Sequence, residues 1–363
     1  MAHTHRNLKT FWLILIFNLT AGICAIGQVK DIKDAPAIKD LTWIEAKKLL
    51  TDSSIVMIPL GAAAKEHGPH LPLKNDWIMA EYLRNRIAKE SDVIIYPTIN
   101  YHYYPAFLQY AGSTSLRLET AANLLVDLCQ VISAHGPKKF YILNTGVSTI
   151  IPLRIAAKKL ESQGILMTFT DILNVAKEAE EKVKKEKAGT HADEIETSMM
   201  LYMAPQTVNM KKAAKDIPER DGPGPLTPYQ NGEGIYSPTG IYGDATLATR
   251  HKGEIVVEAM VRGIRQEIQK LRETPVPPSA QLLELTRFEG TFHAGTDRFV
   301  IIQNGDHFTF QRNDDKSIRM KPESATSFYI GQTGRIVFFT DESGTYSTAF
   351  INLLGQDYLA KKK

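Results

Sequence analysis

The chain has 363 residues, of which 43% are hydrophobic, and this is enough to build one large buried core or two domains. Its 43 basic and 40 acidic residues leave a formal net charge of only +3, and no basic block dominates the sequence. The charge distribution therefore gives no electrostatic reason to expect nucleic acid as a partner.

The N-terminal segment 1–27 has the layout of a secretory signal peptide. Basic residues precede an apolar stretch over residues 11–27, and small residues at Ala25 and Gly27 fit a cleavage site before Gln28. The apolar stretch is short for a stable membrane span, so we favour cleavage over an uncleaved membrane anchor. The protein is therefore expected to be exported, to the periplasm or to the exterior, with no stable membrane anchor.

Apolar runs typical of buried strands alternate with helical patterns along most of the chain after the signal segment. The predicted strands cover residues 53–61, 92–98, 138–146 and 165–173. The predicted helices cover residues 41–50, 76–90, 119–136, 149–164, 176–190, 192–205 and 253–271. This alternation predicts an α/β domain over residues 28–273, with a mainly parallel sheet covered by helices on both faces.

The pattern changes after residue 273. Residues 274–281 are rich in proline, which cannot continue a helix, and we interpret them as a stiff linker. From residue 282 to residue 363, short runs of aromatic and β-branched residues are separated by turn sequences such as NGD, QTG and ESG. This segment is predicted to form a small antiparallel β domain, either a barrel or a sandwich.

The loop AKEHGPHLPLKND, residues 64–76, comes directly after the first predicted strand. In open parallel sheets, sites form beyond the carboxyl ends of the strands, so Glu66, His67 and Asp76 are expected on the functional rim. Two carboxylates and an imidazole are a suitable ligand set for zinc or manganese. A polar surface loop stiffened by prolines is the alternative that the spacing alone leaves open.

This loop and three later motifs resemble the creatininase family of metal-dependent amidohydrolases. His67 is followed nine residues later by Asp76, as in the family, and AGSTSLRLETAANLL, HADEIETSMML and GIYGDATLATRHKGE are similar to further family motifs. The resemblance spans roughly residues 41–271. It implies a three-layer α/β/α domain that acts on a small-molecule substrate, a two-metal site, and a homo-oligomer such as a hexamer.

The resemblance also implies roles for individual residues. Asp76 corresponds to the ligand that bridges two ions, His67 to a terminal ligand, and His191 to the catalytic histidine. Lys65 stands where the family usually has a ligand glutamate. Because an ammonium repels a cation, we expect the loop to bulge and bring the adjacent Glu66 into the ligand position.

Two further family ligands are replaced in this sequence. Gly146 stands where the family has a ligand histidine, and Ser148 stands where a variant of the family motif has a ligand glutamate. The number of ions, one or two, is therefore left open. A single ion held by Glu66, His67 and Asp76, with water completing its coordination, is chemically sufficient for hydrolysis.

Two residues near the next motif are candidates for moving or directing protons. His191 lies just before a predicted helix, whose N-terminus disfavours a charged imidazole, so we expect a neutral ring that can take or hand over a proton. Glu196, further along the same helix, could orient His191 or a metal ligand. His70 and His102 are interpreted mainly as structural histidines, although His102 could reach the same rim.

These inferences predict an exported hydrolase of creatininase type that uses zinc or manganese to cleave a non-peptide C–N bond, as in a cyclic amide. In this hypothesis Asp76 and His67 hold the ion, Glu66 assists, and His191 moves the proton. One alternative is a catalytically degenerate small-molecule binding protein on the same fold. The other is a hydrolase that acts on an oxidised sugar derivative.

Overall fold

The computed structural model describes residues 35–217, 225–277, 285–305, 307–323, 326–332 and 334–363. The predicted signal segment 1–27 and the second half of the predicted linker 274–281 lie outside the described residues. The domain boundaries drawn from the sequence therefore stay predictions.

The predicted helices are all present, with end shifts of at most three residues, except that the helix predicted over residues 176–190 ends at Val183. Within the described ranges the α-helices are α1 (Trp43–Leu49), α2 (Asn75–Ala88), α3 (Leu118–Ser133), α4 (Ile150–Glu161), α5 (Lys177–Val183), α6 (Glu194–Met203) and α7 (Arg250–Glu273). Across the described part of the chain, no helix is both long enough and apolar enough to cross a membrane.

A four-stranded parallel sheet forms the centre of the first domain, as predicted. Its strands are β1 (Ile55–Leu60), β2 (Ile94–Ile95), β3 (Lys139–Asn144) and β4 (Leu166–Phe169), in the order β2-β1-β3-β4. Met57 of β1 packs in a buried cluster with residues of α2, α6 and α7, whereas Val56 packs with residues of α3 and α4. Both faces are therefore covered, which confirms the three-layer α/β/α prediction.

Four short strands were not predicted, and they lie in the glycine- and proline-rich region that precedes α7. They are β5 (Lys215–Asp216), β6 (Leu226–Thr227), β7 (Ile235–Tyr236) and β8 (Gly243–Asp244). β5 pairs with β8, and β6 pairs with β7. A bridge between His191 and Tyr242 joins this region to the segment before α6, which places it beside the predicted site.

The C-terminal strands close into an eight-stranded antiparallel barrel, so the choice between barrel and sandwich is resolved in favour of the barrel. The strands are β9 (Gly290–Ala294), β10 (Asp297–Asn304), β11 (His307–Arg312), β12 (Ile318–Pro322), β13 (Ser327–Ile330), β14 (Gly334–Thr340), β15 (Tyr346–Leu353) and β16 (Gln356–Lys362). Phenylalanine side chains dominate its core, among them Phe292, Phe308 and Phe338.

Candidate functional site

The site lies at the edge of the sheet where β1 and β3 end side by side. Leu60, the last residue of β1, pairs with Asn144, the last residue of β3. Gly61 lies so close to the first turn of α2 that a side chain there would overlap the main chain of Asp76. This close approach places Asp76 beside the carboxyl end of β1, where the sequence predicted a functional rim.

Three potential metal-binding side chains converge at this edge. The Nε2 atom of His67 lies 2.7 Å from Oδ1 of Asp76 and 3.5 Å from Oε1 of Glu196. Potential ligand atoms of these three residues all lie within 4.8 Å of one another, and we call the group the candidate metal cluster. One imidazole nitrogen and two carboxylates are ligands that suit zinc or manganese.

The hydrogen bonds of His67 are consistent with a cation in this cluster. Its Nδ1 lies 2.8 Å from the main-chain oxygen of Lys65, which can only accept, so Nδ1 carries the hydrogen. In a neutral ring Nε2 then has a lone pair, and this lone pair faces two carboxylates. A bound cation would be coordinated by Nε2 and by both carboxylates. The main-chain carbonyl of Lys65 accepts the hydrogen bond from Nδ1, and such a carbonyl commonly orients a metal-binding histidine.

Glu196 is fixed by two hydrogen bonds. Its Oε1 accepts from the side chain of Asn75 at 2.8 Å, and its Oε2 accepts from the amide of Ala192 at 2.7 Å. Ala192 has a φ of 49°, a left-handed conformation that costs a non-glycine residue about 1–2 kcal/mol. The sequence suggested that Glu196 could orient His191 or a ligand, and the structure places its carboxylate in the candidate metal cluster.

Glu66 lies against His191, outside the candidate metal cluster. The Nε2 atom of His191 lies 3.0 Å from both Oε2 and the main-chain oxygen of Glu66. The other carboxylate oxygen of Glu66 accepts a hydrogen bond from the amide of Gly68. Because the carboxylate is engaged by these two groups, the role of Glu66 as a metal ligand stays a prediction, and the structure offers Glu196 as the third ligand.

The surroundings of Glu66 keep its carboxylate ionised and closely confined. Burial alone would raise its pKa, but the hydrogen bonds from His191 and from the amide of Gly68 lower it. Gly240, with a φ of +78°, lies so close that a Cβ atom there would overlap the carboxylate. The segment between β7 and β8 therefore closes one side of the His191–Glu66 pair.

Lys65 is buried in the same site and forms an ion pair with Asp76. Its Nζ lies 2.7 Å from Oδ2 of Asp76, and 5.1 Å and 5.8 Å from the ring centres of Phe107 and Tyr104. Burial favours the neutral amine, but Asp76 and nearby glutamates outweigh it and raise the pKa of Lys65. Burial likewise opposes ionisation of Asp76, but the charge of Lys65 lowers its pKa well below the usual range.

The loop after β3 contributes no ionisable side chain to the site. Its sequence over residues 144–149 is NTGVST. The hydroxyl of Thr145 donates to the main-chain oxygens of Leu60 and Asp76, whereas Asn144 and Thr149 bind within the loop. The side-chain amide of Asn144 donates to the carbonyl of Gly146 at 2.7 Å, and the hydroxyl of Thr149 donates to Oδ1 of Asn144 at 2.6 Å. Gly146 and Ser148 therefore leave this edge of the site without the imidazole and carboxylate that the family resemblance implied.

Two other histidines of the region are buried and bind groups outside the cluster. His70 Nε2 pairs with the hydroxyl of Thr197 at 2.8 Å, and His102 Nε2 pairs with the carbonyl of Ala121 at 3.0 Å. Burial lowers the pKa of His70 and of His102 to about 4. Neither belongs to the candidate metal cluster found among the described residues, as expected of structural histidines.

Sequence reasoning missed two aromatic residues of the site. The ring centre of Phe107 lies 4.2 Å from that of His191. The hydroxyl of Tyr104 is buried without a hydrogen-bond partner in the described structure, and burial, together with the charge of Asp76, raises its pKa well above the usual value. The sequence feature that could have identified both residues is the aromatic stretch INYHYYPAF, which comes directly after the second predicted strand.

A cavity of about 390 Å³ opens onto these residues. Its lining includes Lys65, Asp76, Glu196 and His191, together with the rings of Tyr104 and Phe107 and several aliphatic side chains. The volume lies near the lower end of the range for small-molecule sites. A compact ligand would therefore contact Asp76 and Glu196 of the candidate metal cluster and the ring of His191 at the same time.

Comparison with known proteins supplies an independent line of evidence. Residues 39–268 match the family model described as creatininase, creatinine amidohydrolase. The creatinine amidohydrolase of Pseudomonas putida is 22% identical over 253 residues, which cover 64% of this chain and 96% of that protein.

Relatives with other named activities are similar to the same extent. The 3-dehydro-scyllo-inosose hydrolase of Thermotoga maritima is 24% identical, over 69% of this chain and 89% of that protein. The mycofactocin precursor peptide peptidase of Mycobacterium ulcerans is also 24% identical, over 67% of this chain and 94% of that protein. Sequence similarity alone therefore does not select one type of bond.

Solved structures agree on the fold. A manganese form of creatininase superposes with a TM-score of 0.57 at 21% identity, covering 66% of this chain and all of that one. A zinc–zinc form of a creatininase mutant gives the same TM-score and identity over 67% of this chain. A protein of Bacteroides fragilis described as a putative creatinine amidohydrolase has a TM-score of 0.52 at 18% identity, over 67% of this chain and 98% of that one.

Proposed function

The chain belongs to the creatininase family, and from this premise we propose that it is a metal-dependent hydrolase that cleaves a C–N bond of a small cyclic amide. The observation that supports this best is the candidate metal cluster of His67, Asp76 and Glu196 beside a small cavity. Hydrolysis of this kind needs metal ligands, a buried histidine–carboxylate pair and room for a compact substrate.

His67, Asp76 and Glu196 would hold the ion, with zinc or manganese as the candidates. Such an ion, when bound, lowers the pKa of a coordinated water and so supplies a nucleophile near neutral pH. The remaining chemistry belongs to residues of this chain. Their contribution is to orient the substrate, to hold the reacting groups and to move a proton.

The contacts of His191 support a role in carrying that proton. Its Nε2 faces two acceptor oxygens of Glu66 and therefore donates, which leaves the lone pair of a neutral ring on Nδ1. Nδ1 would take a proton from the attacking water and pass it to the nitrogen that leaves as the C–N bond breaks. Glu66 acts in this account as a positioning residue, because it fixes the tautomer and the orientation of His191.

Tyr104 is suited to bind the substrate. Its hydroxyl is buried beside the site and has no hydrogen-bond partner among the described residues, so it can donate to a polar atom of a ligand. The high pKa of the hydroxyl keeps it protonated, which is the state that a donor needs. The adjoining Phe107 ring would pack against the apolar part of a small ring.

A second candidate activity is hydrolysis of an oxidised cyclic polyol. The observation that favours it is the relative from Thermotoga maritima named as an inosose hydrolase, which matches a slightly larger share of this chain than the creatinine amidohydrolase does. The same ion, His191 and Tyr104 could serve either reaction, because each begins with addition of water to a carbonyl carbon.

The test is a substrate panel with protein loaded with zinc or manganese. Creatinine, other small cyclic amides, oxidised cyclitols and short peptides are incubated separately, and mass spectrometry measures the gain of one water. We expect a cyclic amide to be opened by the loaded protein but not by Asp76→Asn. Turnover of only a cyclitol would select the second candidate, and binding without turnover of any class would instead indicate a degenerate binding protein.

Cellular location and assembly are proposals that rest on the sequence pattern and on the family. Segment 1–27 supports export, and N-terminal sequencing of protein recovered from the producing cell would test cleavage before Gln28. The family resemblance supports a homo-oligomer such as a hexamer, and light scattering of the purified protein would measure its mass.

A further inference from the structure

The two oxygens of Asp76 face different partners. Oδ1 lies 2.7 Å from His67 in the candidate metal cluster, whereas Oδ2 lies 2.7 Å from Nζ of Lys65. The side chains of this ion pair are almost fully buried, with 8% of Lys65 and 2% of Asp76 exposed. The ammonium therefore engages the carboxylate oxygen that a bridging ligand would offer to a second ion.

Among the described residues of the wild type, Asp76 would be the only side-chain ligand of a second metal ion at Oδ2. Gly146 and Ser148 provide neither an imidazole nor a carboxylate, and the side chain of Asn144 binds within its own loop. The carboxylate of Glu66 is engaged by His191 and by the amide of Gly68. In the part of the chain that the structure describes, the only group of metal-ligand side chains close enough to hold an ion is the candidate metal cluster itself.

We propose that the ammonium of Lys65 takes the place of a second metal ion, so that the chain works with one divalent ion and one fixed organic cation. The inference deepens the proposed function and rests on it, because both concern the same site. Lys65 supplies positive charge on the side of Asp76 opposite His67, and Phe107 and Tyr104 stabilise that charge with the faces of their rings.

In the reaction the ammonium would act on the carbonyl oxygen of the substrate. An ammonium has three donors, and Lys65, which is ion-paired with Asp76, also lines the cavity. When water adds to the carbonyl carbon, the π electrons of the C=O bond move to its oxygen, and a hydrogen bond from Nζ stabilises that charge. No bond forms to Lys65, which keeps its proton, while the proton for the leaving nitrogen comes from His191.

The test counts manganese ions in the full chain. Protein is incubated with excess Mn²⁺, desalted and measured by elemental analysis, and electron paramagnetic resonance separates an isolated ion from a spin-coupled pair. We expect about one ion per chain in the wild type and about two, as a coupled pair, in Lys65→Glu. That substitution removes the competing cation and adds a carboxylate next to Asp76. Lys74→Glu, an exposed charge reversal in the same loop, should keep the wild-type count.

The outcomes separate this inference from the proposed function. Two ions in the wild type, or one ion in Lys65→Glu, would overturn the role of Lys65 and leave the proposal of a metal-dependent hydrolase standing. No bound ion in any of the proteins would overturn the proposed function itself, and the inference with it.

Lys65→Met gives a second test that does not depend on a new carboxylate. Removing a positive charge next to the ion should make Mn²⁺ bind more tightly than in the wild type. Removing the donor to the substrate oxygen should lower kcat by about 100- to 1,000-fold. Tighter binding together with slower turnover would not follow from a merely structural role. Weaker ion binding or unchanged turnover would overturn the proposal.

Discussion

The imidazole Nε2 of His191 lies 3.0 Å from both a carboxylate oxygen and the main-chain oxygen of Glu66. Because both groups can accept from Nε2, this nitrogen donates and the tautomer of the neutral ring is fixed. The other ring nitrogen, Nδ1, lies 3.8 Å from Oε2 of Glu196, beside the candidate metal cluster. The pair therefore presents a proton acceptor to the place where a metal ion would act.

Glu66→Gln tests whether Glu66 positions His191 or binds the ion. We expect kcat to fall about 10- to 100-fold, because a neutral amide holds the imidazole less firmly, while the metal content stays at the wild-type level. Kinetics on the substrate identified by the panel and elemental analysis provide the two readouts. A fall in metal content would instead support the ligand role that the sequence suggested. Glu254→Gln, exposed on α7, should change neither quantity.

His67→Ala should abolish tight binding of zinc or manganese, because it removes the only nitrogen ligand of the candidate metal cluster. In the wild type, ion at 100 times its Kd should stabilise the fold by about 2.7 kcal/mol, and in the variant this gain should disappear. Thermal unfolding with and without the ion measures it. His251→Ala, at an exposed position, is the matched control, and metal binding retained by His67→Ala would argue against the cluster.

Gly240→Ala should damage the His191–Glu66 pair through the backbone. A methyl group there would overlap the Glu66 carboxylate, and φ of +78° is unfavourable for alanine. Gly344→Ala is the control, since its φ is +81° but its Cβ would meet open space. We expect about 1–2 kcal/mol of destabilisation from φ in either variant, and about 1–3 kcal/mol more in Gly240→Ala. Calorimetric unfolding would show the difference, and equal losses would contradict the close contact.

His102 should make the α/β domain less stable in mild acid. Burial lowers its pKa from 6.5 to about 4, so between these values the unfolded chain binds a proton that the folded chain does not. Stability therefore falls as the pH drops from about 6.5 to about 4, by about 3 kcal/mol for this group. Urea unfolding at several pH values, followed by the fluorescence of Trp43 and Trp77, measures it. His102→Gln keeps a donor for Ala121 and should show a flatter pH dependence, and an unchanged slope would contradict this.

The α/β domain could be predicted because its elements carry strong local patterns. β1 is a six-residue apolar run that is buried along its whole length, and α3 and α7 present regular apolar stripes to the core. The barrel was predicted less completely. Strand β12 buries only Met320, and the sequence of β16 is largely polar, so neither shows the alternation that identified its neighbours.

The site was predicted in part, because the sequence identifies chemical groups but not long-range contacts. His67, Asp76 and His191 were proposed from their motifs. The pairing of Glu66 with His191 depends on the fold, since these residues are 125 positions apart in the sequence. Lys65 was judged only as a poor metal ligand, and its ion pair with Asp76 becomes evident only once α2 packs against the end of β1.

We expect one divalent ion to bind between His67, Asp76 and Glu196. X-ray diffraction at the zinc absorption edge, from crystals of zinc-loaded protein, tests it most directly. We predict a single anomalous peak within about 2.0–2.2 Å of His67 Nε2 and of carboxylate oxygens of Asp76 and Glu196. Three results would contradict this expectation. They are two peaks flanking Asp76, a peak coordinated by Glu66 in place of Glu196, and no peak at this edge of the sheet.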